Sequence, residues 1–464
     1  MATWLVVFLP ASILHMAMRD FKNRTGHDLI VKGTDSLTFS PRFGVALKEV
    51  EVPGTSVNQP AVLIAKSVFV PLGVAQLFGL GGGAGQVEID GGTFSYVIDA
   101  DGRANLRNID EPAKQKSDTA VNGPPPVRLS LHNVTALVKN LTTGSGFTLA
   151  QIDGEVTIDA DQAVGFKASA TVKDQRIHID AHLKSVARAL GEGSPLDLAI
   201  ETSGANFEFT GRVVAGQKFG LAGQGSFDTV DARKALSWLG MDIQSLKPNL
   251  LLAVSGIVDS DDTTFTFKNV ALQLDRMKAQ GNVRYTLAGT RPALLLDLGI
   301  DRLDLGLLSQ DTLTSTSWRE QAFDLHDFKV VDAEFRLATN QVVYAPIVLG
   351  SSQISGSLKN GVFDARLEGT REGSGHFTFD AASQTPALKL DLALKDVEVQ
   401  HFLARLMGMK WAMGTAQIAT ALTAQGVSPA ALIGSLVGKG EIRVAQATLT
   451  GVDLAALAAS LTQA

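Results

Sequence analysis

The sequence predicts a mainly β fold, an antiparallel sheet extended by similar units with only a few short helices, and three observations carry that expectation. Glycine supplies 45 of the 464 residues, about one in ten against a typical ~7%, as a chain with many tight turns requires. Beyond about residue 25 apolar and polar residues alternate with period two, the pattern of strands with one buried and one wet face. A pair of segments also recurs at an offset of 94 residues.

At the start of the chain, Ala2 to Met18 carries no Asp, Glu, Lys or Arg, and Trp4 to Leu9 is continuously apolar. As a helix these residues would reach about 25 Å, just short of a ~30 Å hydrocarbon core, and we expect residues 1–18 to form a single transmembrane anchor. Arg19, Lys22 and Arg24 follow it directly, where the positive-inside rule favours cytoplasm; a short basic segment ahead of Met1 is expected to resolve that conflict.

The alternation then recurs along the chain. Ile177, Ile179, Ala181 and Leu183 interleave with His178, Asp180 and His182, and Leu388, Leu390, Leu392 and Leu394 interleave with Lys389, Asp391, Ala393 and Lys395. Turn signals such as Asp101-Gly102, Glu192-Gly193 and Asn360-Gly361 punctuate the runs. Residues 111–126 are polar, proline-rich and without periodicity, and read as a linker. Short helices are expected at Val230 to Leu239, Val399 to Met407, Pro429 to Val437 and Val452 to Leu461. In the repeat, Pro292-Ala-Leu-Leu-Leu-Asp-Leu298 matches Pro386-Ala-Leu-Lys-Leu-Asp-Leu392 at six of seven positions. Such a repeat suits a sheet grown by adding units better than a closed enzyme fold.

Composition and spacing exclude several classes of function. Lys plus Arg number 41 against 47 for Asp plus Glu, a net charge of −6, so there is no basic excess to neutralise phosphates and nucleic acid is not an expected partner. With no cysteine there are no disulfides, thiolate metal sites or Cys nucleophiles. His178 and His182 stand four apart on an alternating run, about 13 Å along a strand and too far apart to share one zinc. The glycine run Gly79 to Gly85 precedes a strand pattern where a phosphate loop should open a helix, and Asp99-Ala-Asp101-Gly102 has its glycine too early for a calcium loop. No nucleophile elbow or paired carboxylates appear. We expect no enzyme, no metal and no cofactor.

Arg24-Thr-Gly-His-Asp-Leu-Ile-Val-Lys-Gly33 and then Leu37-Thr-Phe-Ser-Pro-Arg-Phe-Gly-Val-Ala-Leu-Lys-Glu-Val-Glu-Val52 resemble the opening of the AsmA family. Val87 to Phe94, Asp101-Gly-Arg-Ala-Asn-Leu106, Phe335 to Tyr344, Gly361 to Leu367, Gly438 to Ile442 and Leu449 to Leu454 are similar to later features of that family, in the same order. The likeness covers both ends and touches residues 130–330 only in style.

The resemblance implies a single-pass protein of a Gram-negative inner membrane with its bulk in the periplasm, a part in outer-membrane biogenesis, and a curved, groove-like sheet that moves phospholipid along an apolar concave face. Its expected partners are phospholipid, the inner membrane and other envelope proteins. On this reading residues 1–18 are the anchor, 19–110 an N-terminal β domain, 111–126 the linker, 127–330 a middle sheet and 331–464 a C-terminal AsmA-like region cut short at Ala464. The candidate lipid contacts are Leu388, Leu390, Leu392 and Leu394, with Leu294, Leu296 and Leu298 as their repeat equivalents. The alternative is a non-transporting scaffold or tether built of closed β-sandwiches, whose inner faces alternate in the same way.

Overall fold

Alternation with a two-residue period makes one face of each run apolar, and a computed structural model shows what that face becomes. It describes residues 6–7, 18–19, 22, 27–38, 43–55, 59–71, 86–101, 103–105, 127–142, 145–159, 161–215, 219–238, 243, 246–287, 291–306, 321–344, 347–369, 373–398 and 412–449. The chain divides into two compact units, Met1–Gly225 and Ser226–Ala464. Each is an open, mixed β-sheet with a few short helices.

The first unit contains β1 (Val6–Val7), β2 (Ile30–Val31), β3 (Asp35–Thr38), β4 (Gly44–Val52), β5 (Leu63–Pro71), β6 (Val87–Ile98), β7 (Val127–Asn140), β8 (Ser145–Ile158), β9 (Val164–Val172), β10 (Gln175–Leu183), α1 (Val186–Leu190), β11 (Ser194–Thr202) and β12 (Ala205–Ala215). β13 (Phe219–Thr229) carries the boundary. β4 pairs with β2, β3 and β5, and from β5 each strand pairs with the next through β12.

In the second unit α2 (Ala232–Trp238) precedes β14 (Leu252–Ser260), β15 (Thr264–Leu274), β16 (Met277–Thr286) and β17 (Ala293–Asp304). After α3 (Asp327–Val330) come β18 (Asp332–Tyr344), β19 (Ile347–Leu349), β20 (Ser352–Lys359), β21 (Val362–Gly369), β22 (Gly373–Asp380), β23 (Ala387–Glu398), β24 (Ala412–Gln425), α4 (Pro429–Gly434) and β25 (Val437–Leu449). β18 pairs with β19 near its end and with β20 along most of its length, and the ladder then runs in order to β25.

The expected antiparallel sheet is corrected at one pairing in each unit. β6 and β7 run parallel, as do β17 and β18. A parallel pair needs a crossover of a dozen residues or more, and residues 99–126 and 305–331 supply one each. The segment 111–126, expected to divide two domains, thus joins strands that are neighbours in one sheet; its own residues lie outside those described.

Bulges interrupt the ladders in both units. Glu49 (φ 52), Gly91 (φ 59), Asn133 (φ 50) and Gln151 (φ 50) lie on β4, β6, β7 and β8 with left-handed backbone, and the β7–β8 register slips on both sides of Val134. An extra residue of this kind bends a strand and increases its twist. The freed Asn133 N–H is taken up across the ladder by Asp153 Oδ1 at 2.9 Å.

The helices start where side chains can cap them. Ser185 accepts from the Arg188 N–H at α1, Asp231 from the Lys234 N–H at α2, and Ser428 from the Ala431 N–H at α4, where Pro429 takes the first helical position. α2 and α4 lie where helices were expected; Val437, expected as the end of the helix from Pro429, instead begins β25. The helices expected at 399–407 and 452–461 lie outside the described residues.

Of the expected anchor, Val6–Val7 and Met18 are described, and Val6–Val7 forms a short strand opposite Leu37 and Thr38, while residues 1–5 and 8–17 lie outside the described set. Among the described residues no helix is long and apolar enough to cross a membrane.

Candidate functional site

Cross-strand register lines the apolar residues up in rows. In the first unit Val87, Leu129, Val156, Phe166, Ala181, Leu198 and Phe209 stand opposite one another from β6 to β12. The buried cluster around Val50 and Ala65 and the one around Val134, Ile152, Ala170 and Ile177 share Ile89, so the apolar stripe is continuous from β4 to β10.

In the second unit the same register brings the sequence-predicted residues together. Leu294, Ala333, Leu358, Phe363, Phe379 and Leu388 form one row across β17, β18, β20, β21, β22 and β23. Leu296, Phe335, Gly356, Ala365, Phe377 and Leu390 form the next, and Leu298, Leu337, Ile354, Leu367, Gly375 and Leu392 the third. The two copies of the repeat therefore stand at opposite ends of the same three rows. Five strand spacings of ~4.8 Å make each row about 24 Å long.

Exposure separates these residues. Leu298 and Leu394 are buried, at 7% and 6% exposed, Leu298 within a cluster of Met277, Ala279, Ile300 and Leu303. Leu294, Leu296, Leu388, Leu390 and Leu392 are only partly buried. A second sheet packed at ~10 Å would cover such positions. Local cover exists within these rows and beside them: Phe323 and Phe328 pack on Phe379, the neighbour of Leu388, with ring centroids 6.0 and 5.3 Å away, and Leu349 packs on the cluster of Leu394 and Ile418.

Sequence reasoning missed the aromatic part of this face. Phe335, Phe363 and Phe377 contact in series at 5.8 and 6.0 Å, spanning four strands from β18 to β22 by way of Gly356 on β20, where an added Cβ would fall 2.6 Å from the Phe335 ring. The signal was present in the alternation of Phe335-Arg336-Leu337 and Phe363-Asp364-Ala365, but register was needed to align the two.

The opposite face is polar. Asp297, Arg336, Ser355, Arg366, His376 and Asp391 form the row between those of Leu296 and Leu298. His376 Nε2 lies 2.8 Å from Asp364 Oδ2, which also accepts from Thr378 Oγ1 at 3.0 Å, and the His376 hydrogen bond holds the Asp364 carboxyl below its ordinary range. On β8 the Asn133 N–H and then Arg176, 3.1 Å away, do the same for Asp153.

In each unit by itself, a recess opens where small residues leave gaps between long polar ones. One of about 580 Å³ lies among Arg366, His376, Asp391, Ala419, Ala421 and Lys439, and one of about 410 Å³ among Asp153, Lys167, His178 and Asp180. His178, Asp180 and His182 do stand on a strand, β10: His178 meets Ser169 at 2.8 Å, and Asp180 pairs with Lys167 at 3.0 Å and His182 at 3.2 Å. No group of three His, Cys, Asp or Glu among the described residues could hold a metal ion. Asp99 builds a turn, its Oδ1 accepting from the Asp101 and Arg103 N–H groups. The glycine run at 79–85 lies outside the described residues.

Compared with known proteins, the chain matches no family model, no curated protein and no solved structure.

Proposed function

We propose that the chain is an inner-membrane-anchored periplasmic protein of outer-membrane biogenesis, and that it binds or conducts phospholipid along the apolar face of a curved, groove-like sheet, as its resemblance to the AsmA family implies. The observation that carries this reading is the set of three unbroken apolar rows in which five of the seven candidate leucines keep part of their surface open. At about 0.8 kcal/mol per CH₂, exposing a 16-carbon acyl chain to water costs roughly 13 kcal/mol. Lipid crossing an aqueous compartment therefore needs a continuous apolar track. One acyl chain spans about half of a ~30 Å hydrocarbon core, and rows of about 24 Å accommodate that length. The polar face, with its ion pairs and hydrogen bonds, keeps the other side of the sheet in water.

The test is capture of a pyrene-labelled phospholipid from vesicles by the purified chain. The intact protein is expected to take up lipid, and the double variant Leu296→Asn, Leu390→Asn to take up at least roughly tenfold less with its far-ultraviolet circular dichroism unchanged. A folded chain that captures no lipid, or whose double variant captures as much as the original, supports the scaffold or tether reading instead.

A further inference from the structure

The last strand of the second unit differs from its neighbours. Among the described residues β25 (thirteen residues) pairs with β24 alone, and its other side has no strand partner among them. Burial stops there abruptly: Ile418 and Ala416 on β24 are 7% and 4% exposed, whereas Ile442 and Val444, their partners on β25, are 52% and 44% exposed. Ile433 and Leu436, at 65% and 47%, add exposed apolar surface on the strand's approach.

We propose that β25 is a homodimer interface, pairing antiparallel with β25 of a second copy about a twofold axis at Ile442. Charge and size choose this occupant and this register. Centred on Ile442, the pairing sets Glu441 opposite the second copy's Arg443 and Arg443 opposite its Glu441, so two carboxylate–guanidinium pairs form across the interface. Within one chain Arg443 Nε already reaches Glu441 Oε1 at 2.6 Å, which places both charges on one face of the strand. The two Ile442 side chains then cover each other on the apolar face, and Gly440 leaves room opposite the second copy's Val444. A register centred on Glu441 would face glutamate with glutamate and Lys439 with Arg443. The twofold operation closes on itself, so the edge is consumed and no fibre follows.

The chain has no cysteine, so single-cysteine variants of the full chain read the register directly. Directly opposed residues of an antiparallel pair lie about 4.5–5.5 Å apart at Cα, within disulfide reach. Under mild oxidation Ile442→Cys is expected to give a covalent dimer on a non-reducing gel, while Lys439→Cys, displaced from its own copy by about 20 Å, is not. Both positions are exposed, so neither change strains the fold. Sedimentation of the untreated chain is expected to show a species of twice the 49.0 kDa chain mass. Glu441→Lys should weaken association by roughly tenfold, because symmetry counts the change twice, and adding Arg443→Glu should restore it. A chain that sediments as a monomer, cross-linking at 440 instead of 442, equal cross-linking at 439 and 442, or β25 engaged only by a strand of another protein would each overturn the proposal.

Discussion

Gly356 sits under the aromatic series of the apolar face, where an added Cβ would come within 2.2 Å of the Asp364 carbonyl oxygen and 2.6 Å of the Phe335 ring. Gly356→Val should therefore cost about 1–3 kcal/mol of stability, read from the denaturation midpoint. At Gly434 nothing lies within 4 Å, and Gly434→Ala, at the last residue of α4, should be neutral or stabilise by up to about 1 kcal/mol. On the polar face, Asp364 titrates below its ordinary range because His376 and Thr378 donate to it. Since its folded value is depressed, its contribution to stability is present above the unfolded value near pH 4 and is lost as pH falls through the folded one. Denaturation measured from pH 7 down to pH 3 should show a shallower acid loss for Asp364→Asn than for the unmodified chain. Of these residues, the leucines were legible in the sequence because alternation marks a face directly. Gly356 and the phenylalanines were not, because their relation is fixed by the register between β18, β20 and β21.

Strands were the most legible elements. The runs at 177–183 and 388–394 lie in β10 and β23, since a period of two admits no other regular structure at that length. Helices were legible where a cap announced them. Ser428-Pro429 starts α4, and Ser428 Oγ accepts from the Ala431 N–H at 3.2 Å. Ser428→Ala should lower stability by about 1 kcal/mol in chemical denaturation. α1 escaped notice because its five residues, Val186–Leu190, fill a strand-to-strand connection too short to show a helical period. The bulges escaped for a related reason: one extra residue in a strand, such as that near Asn133, shifts the alternation by a single position and is invisible until the neighbouring strand is known.

Across the molecule, the sequence carried the β class and the repeat but not the parallel pairings. A sequence gives the length of a crossover and not its destination, so residues 99–126 and 305–331 gave no sign that they return beside β6 and β17. The repeat acquires its meaning only at this scale, with Leu294, Leu296 and Leu298 on β17 aligned in the same rows as Leu388, Leu390 and Leu392 on β23. What the apolar face touches is then the central question. It is answered most directly by placing a photoreactive residue at position 390 or, as the control on the opposite face of β23, at position 391, and irradiating living cells. Phospholipid adducts at 390 and none at 391 are predicted. Stable, folded protein with no lipid adduct at either position would contradict a lipid-carrying face.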